Sequence, residues 1–301
     1  MYFTFLIASK NEEVDIKNVI NSCINQTYKK YEIIVVDDST DNTRRIVKNY
    51  TNSNIKLVAG NNTGCCNARN LGITKSNGDI IVFLTADTIL PKDYLKKILK
   101  HYENGYDWVT VSSEILNQKY IFPRFIEAQH KFAESNLKNI FTTQGYSVKK
   151  KAALEVNMIS GGIYPFNFCR DWTLGKKLSK KKYKKIHDKD IFVFHNSPYK
   201  LSDYWNVRKT RGLMSAYQPY YFFNKSISYL LLKFIIKSLV SFLKIVLVAP
   251  LIFNLFQISK FSSNKIFNFF VFLPSYLIQE FAFRYGEFNG LLKIINKEKN
   301  D

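Results

Sequence analysis

The segment Asp79-Ile-Ile-Val-Phe-Leu-Thr-Ala-Asp87-Thr-Ile-Leu-Pro91 constrains the fold of this chain more than any other stretch. The uninterrupted apolar run from Ile80 to Leu84, bounded by Gly78 and Pro91, predicts a strand buried on both faces, as in a parallel sheet. The run stops at Thr85 and Ala86 and then at one carboxylate, Asp87, with a helix start expected at Pro91. In an open α/β sheet, ligands bind just beyond the carboxyl ends of the strands. A carboxylate there can hold a divalent cation and, through it, a diphosphate. An aspartate after a strand also serves as a turn or cap residue, so the reading rests on its companions.

Phe3 to Ala8 is a further strand candidate, followed by the polar turn Ser9-Lys-Asn-Glu-Glu13. Ile16, Val19, Ile20, Cys23 and Ile24 then recur at helical spacing on one face. Tyr31 to Val36 predicts another buried strand, ending in the acidic turn Asp37-Asp-Ser-Thr-Asp-Asn-Thr43. Ile55 to Ala59 predicts one more, running into Gly60-Asn-Asn-Thr-Gly64 and a helix that carries Ala68-Arg-Asn70. Strands alternating with helices at this rhythm predict a doubly wound, mostly parallel sheet. The polar turns then share one edge of the sheet, and that edge is the expected site.

These residues resemble the family 2 glycosyltransferases of the GT-A fold. The order of matches carries the resemblance: Ile7-Ala-Ser-Lys-Asn-Glu-Glu13, Asn25-Gln-Thr27, Glu32-Ile-Ile-Val-Val-Asp-Asp38, Asn62-Thr-Gly64, Ala68-Arg-Asn70 and Thr85-Ala-Asp87. The resemblance implies an inverting enzyme that uses a nucleotide-sugar donor and a divalent cation, Mn²⁺ or Mg²⁺. It implies that Ala8, Ser9, Lys10 and Glu12 of the first turn, with Asp37 and Asp38, contact the base and ribose. Gly64 and Arg69 would lie near the diphosphate. Asp87, with Thr85 and Ala86 before it, would be the metal-binding aspartate of the family's Asp-X-Asp motif. Thr85 replaces the first Asp of that motif, which weakens contact to the donor ribose more than it threatens metal binding.

A second cluster lies downstream. Ser160-Gly-Gly-Ile-Tyr-Pro165 is a glycine turn, and Asp171 stands in the first turn of an expected helix, where the macrodipole alone favours an acid. In the resembling family a glycine loop precedes an acidic pair and Trp, and the second carboxylate is the catalytic base. Asp171-Trp172 matches that position, while Arg170 replaces the first member of the pair. His195 ends the apolar run Ile191-Phe-Val-Phe, where a histidine is often structural and is also a common metal ligand. The resemblance puts it near the metal. Arg208 and Arg211 offer guanidinium forks suited to a leaving diphosphate, and a solvated basic helix face explains them as well.

The formal net charge of +20 calls for an anionic partner. Lys176, Lys177, Lys180, Lys181, Lys182, Lys184 and Lys185 crowd together, a run that by itself would suggest nucleic acid. No nucleic-acid motif accompanies them, and the C-terminal third is rich in Phe, Leu and Ile. Residues from Ile227 to Gln257 predict a long helix with Lys233, Lys237 and Lys244 on one face. The apolar run Ile245 to Phe253 is too short to span a bilayer, and Ile266 to Ile278 is interrupted by Pro274 and ends at Glu280. Snorkelling lysines on apolar helices suit an anionic membrane surface. A shallow hairpin entering the bilayer and a helical subdomain packed on the core remain alternatives. Cys23, Cys65, Cys66 and Cys169 show no disulfide or zinc spacing, which suits reduced cytosolic thiols. Met1 leads straight into a strand, so no cleavable signal peptide is expected.

The expected organisation is a catalytic domain over residues 1–215 and a membrane-associating helical region over 216–301. The expected function is transfer of a sugar to a hydroxyl of a lipid-linked or cell-surface glycan at the cytoplasmic membrane face. A polyprenyl-phosphate sugar synthase and an inactive basic membrane-binding scaffold are the alternatives.

Overall fold

The computed structural model describes residues 1–51, 54–136, 144–159 and 171–298. The chain forms two compact units, one of Met1–Glu114 with Lys138–His195 and one of Ile115–Leu137 with Asn196–Asp301.

The first unit begins β1 (Phe3–Ser9), α1 (Ile16–Ile24), β2 (Tyr31–Asp37), α2 (Thr43–Lys48), β3 (Ile55–Ala59), α3 (Cys65–Lys75), β4 (Ile80–Thr85), α4 (Tyr94–Glu103) and β5 (Trp108–Ile115). After α5 (Ile121–Asn136), which belongs to the second unit, it resumes with β6 (Ser147–Lys149), α6 (Lys150–Glu155), α7 (Asp171–Lys180) and β7 (Lys185–His195). The sheet order is β3-β2-β1-β4-β6-β5-β7. β1, β2, β3 and β4 pair in parallel, and β6 runs antiparallel to both β4 and β5. The sheet is therefore mixed and mostly parallel, as the alternating strand and helix pattern predicts.

Both faces of the central strands are covered, which is why their sequences are apolar without alternation. Phe3, Phe5, Ile7, Ile33 and Val35 pack into one core with Ile16, Val19, Ile20 and Cys23 of α1 and Leu95 and Ile98 of α4. Leu6, Ile34, Val36, Ile81 and Phe83 pack into the other with Cys66 and Ile73 of α3 and Leu174 and Leu178 of α7. Register then sets the site edge: Ser9 stands opposite Asp37, Asp37 opposite Ala59, and Ala8 opposite Thr85. The ends of four strands are level.

α4 starts at Tyr94 rather than at Pro91 because residues 91–93 form a turn, in which the Tyr94 amide donates to the Pro91 carbonyl (3.1 Å). Ile89 and Phe194 exchange backbone hydrogen bonds of 2.7 and 2.9 Å. Gln26, fully buried, donates from Nε2 to the Pro91 carbonyl (2.8 Å) and accepts from the Leu95 amide (3.0 Å), tying the end of α1 to the start of α4.

The second unit contains α5, α8 (Leu201–Phe223), α9 (Ile227–Val246), α10 (Ala249–Ser259) and α11 (Lys265–Glu298). The expected domain boundary at residue 215 falls inside α8. α8 and α11 run in the same direction: Tyr204 Oη donates to the Ser275 carbonyl (3.1 Å), Ser215 Oγ to Glu287 (2.9 Å), and Lys297 lies over the Tyr221 ring. Their backbones approach through glycines. A Cβ on Gly212 would lie 1.9 Å from the Phe283 carbonyl oxygen, and one on Gly286 would lie 1.8 Å from that of Lys209.

Two expectations about these helices are corrected. The long helix expected from Ile227 to Gln257 breaks at Val248, which adopts φ 57, and α9 and α10 meet at 88°. Pro250 lacks an amide hydrogen and crowds the preceding turn, which favours a break just before it, and it stands in the first turn of α10, where proline is tolerated. Pro274, by contrast, does not interrupt α11, which runs unbroken through it. The lost hydrogen bond costs about 3 kcal/mol in an isolated helix, and close packing along α8 outweighs it. As a result Lys265–Lys297 is long and apolar enough to cross a membrane, and the bent α9–α10 pair passes the same test only when taken together, as a broken span or a re-entrant loop.

Candidate active site

The turns after β1 and β2 are stitched together. Asn11, at φ 60, donates its amide to Ser39 Oγ (2.8 Å) and accepts from the Thr40 amide (2.9 Å). The Glu12 amide donates to Thr43 Oγ1 (2.8 Å). Asp37 is fully buried, and its carboxylate accepts from Ser9 Oγ (2.8 Å), Ser39 Oγ (2.5 Å) and Arg44 Nε (3.1 Å). Those bonds fix the buried carboxylate, so Asp37 organises the turn from beneath. Asp38 is also buried but touches the neighbouring turn: its Oδ1 accepts from the Asn62 amide (2.9 Å). Gly60 makes room for it, since a Cβ there would stand 2.2 Å from the same oxygen. Lys10 is exposed, Ala8 partly covered and Ser9 buried.

Asp87 stands at the end of β4, held from two sides. Thr85 Oγ1 lies 2.5 Å from Asp87 Oδ1, 2.7 Å from Thr88 Oγ1 and 2.9 Å from Gln144 Oε1. The residue that replaces the first acid of the motif therefore orients the remaining one. Gln144 is placed by its neighbour Gly145, at φ 68, whose carbonyl accepts from Tyr94 Oη. On the other side His195 Nδ1 lies 3.9 Å from Asp87 Oδ2. The Ile89–Phe194 bridge produces this meeting, because each partner is adjacent or nearly adjacent in sequence to one of the two side chains.

Negative charge concentrates here. Burial raises the Glu12 pKa to about 7, with the charges of Asp87, Asp15 and Asp41 adding to it. Asp15 is raised by burial and by Asp87. Among the described residues no three His, Cys, Asp or Glu side chains gather around one point as a complete metal cage. Two ligands at about 2.1 Å from one cation are separated by about 3.0 Å when adjacent and about 4.2 Å when opposite. The Asp87–His195 separation of 3.9 Å corresponds to neither. Each of the two side chains could supply one ligand to such an ion, which would take its others from phosphate and water.

Gly64, at φ 93, precedes α3, and its carbonyl accepts from the Ala68 amide (3.0 Å). Arg69 is almost wholly enclosed, with its guanidinium over the Phe83 ring at 5.9 Å. Ala86 is buried. Asn70 has a role that its sequence context does not reveal. Its side-chain amide donates to the Ile159 carbonyl (2.8 Å) and accepts from the Ile159 amide (3.1 Å), clamping the chain just before residue 160. The glycine turn at 160–165 and Arg170 lie outside the described residues, as does the side chain of Asp171, whose backbone opens α7. Arg208 and Arg211 lie on α8 in the second unit.

A family model described as Glycosyl transferase family 2 matches residues 4–156, about half of the chain and the whole of the parallel half-sheet. The chain belongs to glycosyl transferase family 2. It is 32% identical over 139 residues to UDP-Glc:alpha-D-GlcNAc-diphosphoundecaprenol beta-1,3-glucosyltransferase WfgD of Escherichia coli, covering 45% of this chain and 55% of that protein. It is 35% identical over 104 residues to poly-beta-1,6-N-acetyl-D-glucosamine synthase of Staphylococcus aureus, covering 33% of this chain and 25% of that protein. The family 2 chain thus matches about half the length of the first relative and a quarter of the second. Mannosyltransferase PcManGT from Pyrobaculum calidifontis, in complex with GDP-Man and Mn²⁺, superposes with TM-score 0.57 at 20% identity, covering 70% of this chain and 61% of that one. S. aureus TarS 1-349 in complex with UDP-GlcNAc superposes with TM-score 0.52 at 17% identity, covering 69% and 65%. At these identities the structures establish the GT-A fold of the family 2 chain.

Proposed function

We propose that this chain is an inverting glycosyltransferase, moving a sugar from a nucleoside-diphosphate donor to a hydroxyl of a lipid-linked or cell-surface glycan. One observation carries the reading: Thr85, Asp87 and His195 converge at the carboxyl edge of the sheet, beside the turn after β1 that carries Glu12. The relatives support it, since WfgD is named for a UDP-Glc donor and a diphosphoundecaprenol-linked acceptor, and PcManGT is in complex with GDP-Man and Mn²⁺.

In this reading Asp38 and the Ser9–Glu12 turn hold the nucleoside, and Asp87 with His195 holds the cation. A bound divalent cation supplies charge stabilisation for the departing diphosphate. Asp171 takes the proton from the acceptor hydroxyl as its oxygen bonds to the sugar C1. The bond from C1 to the diphosphate oxygen breaks in the same displacement, and attack from the opposite face inverts C1. The second unit attaches the enzyme to the cytoplasmic face of the membrane, where its exposed apolar helices and lysines meet anionic lipid.

The test is nucleotide binding by the full chain with and without Mn²⁺, read by thermal shift, since a ligand of the folded state raises its stability. Asp87→Ala should lose the Mn²⁺-dependent part of the shift and keep the metal-independent part. A full Mn²⁺ enhancement in Asp87→Ala would sink the assignment.

A further inference from the structure

Among its described residues, the second unit contains a buried charge with no counter-charge. Arg208 is 5% exposed, and its Nε finds no hydrogen-bond partner. Its guanidinium lies 5.0 Å from the centre of the Tyr204 ring. Arg211 follows one turn later on the same face of α8 and is exposed, so the pair opens to solvent on that side. Among the described residues no carboxylate lies within 4.0 Å of either guanidinium. The buried acids of this unit are engaged elsewhere: Glu127 with Lys131 at 3.0 Å, and Glu287 with Arg284 and Lys233. Tyr204 supplies a hydrogen-bond partner to the Arg208 guanidinium but no counter-charge; two adjacent guanidinium groups repel each other, and a buried charge without an opposite one is costly. Such an arrangement is expected where an anion completes it.

We propose that Arg208 and Arg211 bind the phosphate end of an amphiphilic ligand, the lipid-linked acceptor of the reading above, on which this inference rests. The guanidinium fork matches phosphate oxygens with paired hydrogen bonds. The apolar half of the argument lies in the same unit. Lys233 of α9 donates to the Ser215 carbonyl (3.0 Å), one turn beyond Arg211, so the apolar helix meets α8 beside the cation pair. From there α9 and α10 carry Leu232, Ile235, Leu239, Phe242 and Phe253, each more than half exposed. A phosphate bearing a hydrocarbon chain satisfies both features, whereas a nucleotide satisfies only the first. Tyr204 supports the site from beneath, with its hydroxyl on the Ser275 carbonyl of α11 and its ring stacked on Phe122 at 4.3 Å.

The experiment titrates the full chain in detergent with farnesyl diphosphate, with farnesol, and with UDP plus Mn²⁺. Arg211→Gln is the main variant because Arg211 is exposed, and Arg208→Lys, which keeps the buried charge, is the second. Farnesyl diphosphate should bind more tightly than farnesol. Arg211→Gln should weaken farnesyl diphosphate by about 10- to 100-fold, the worth of a charge-assisted hydrogen bond. The same variant should leave farnesol and UDP affinities unchanged. Arg208→Lys, which loses the fork, should weaken farnesyl diphosphate in the same sense. Equal affinities for farnesyl diphosphate in the wild type and Arg211→Gln would overturn the proposal. A matching loss of UDP affinity would overturn it too, by assigning the pair to the donor. A wild type that ignores UDP with Mn²⁺ would count against the transferase reading, and the farnesyl diphosphate arm would still decide this one.

Discussion

Thr85→Val removes one hydroxyl at nearly constant shape and isolates what the altered motif does. The hydroxyl carries a single proton, and the charged acceptor at 2.5 Å, Asp87 Oδ1, is the strongest claimant. Thr88 then donates to Thr85 across 2.7 Å, giving a chain from Thr88 through Thr85 to Asp87. A hydrogen bond to a charged group contributes about 1.5–3 kcal/mol, and water reaching the partly exposed Asp87 recovers some of that. The fully buried Thr88 hydroxyl keeps only Gln144, at 3.4 Å, which adds about 1 kcal/mol to the cost. The net loss is about 2 kcal/mol, a melting temperature lower by about 4–8 °C for a unit of this size. The carboxylate also loses its fixed rotamer. Mn²⁺-dependent UDP binding should weaken about tenfold, the equivalent of 1.4 kcal/mol, with metal-free binding unchanged. Calorimetric titration of the full chain at saturating and zero Mn²⁺ reads both numbers. An unchanged melting temperature with an unchanged Mn²⁺ enhancement would refute the claim that Thr85 orients Asp87.

Glu12→Gln tests the concentrated charge at the site edge. Because the folded pKa of about 7 lies above the ordinary 4.5, folding favours the protonated form. That contribution is fully present below pH 4.5 and is lost as pH rises through 7. The variant should therefore be more stable than the parent at pH 8, by about 1 kcal/mol after solvent screening. The advantage should vanish at pH 4, and a difference in melting temperature independent of pH would contradict it. Gly60→Ala drives a methyl group into Asp38, so overpacking should cost about 1–3 kcal/mol. It should weaken nucleotide binding equally with and without Mn²⁺, whereas loss of only the Mn²⁺-dependent part would place Asp38 on the metal. Gly286→Ala sets a Cβ against the Lys209 carbonyl, a backbone atom that cannot swing aside. Denaturation should register a loss of about 2–3 kcal/mol or more, and a neutral result would show that α8 and α11 separate easily.

The parallel half of the fold was legible in the sequence because its signals are local. Runs such as Ile80 to Leu84 are apolar at every position only when both faces are covered, and each run stops at the residue where the chain leaves the sheet. The acids after those runs, Asp38 and Asp87, were legible for the same reason. Strand ends in such a sheet share an edge, so their turns share it as well. The order of motifs, more than any single one, pointed to the family that the comparisons establish.

What only the tertiary structure decided depends on partners far apart in sequence. Thr85 reads as a lost acid, yet its hydroxyl orients Asp87 because Thr88 and Gln144 close around it. His195 reads as the end of a strand. It reaches Asp87 through the backbone bridge between Ile89 and Phe194, which no local pattern encodes. Gln26 and Asn70 are polar residues within family motifs whose work is to satisfy backbone groups 69 and 89 residues away. The two prolines of the apolar helices make the same point. A helix continued through Pro250 would carry the same local penalty as one through Pro274, but α9 and α10 bend apart at the first while α11 continues through the second. The penalty is local; whether packing along a neighbouring helix exceeds it is a property of the whole fold.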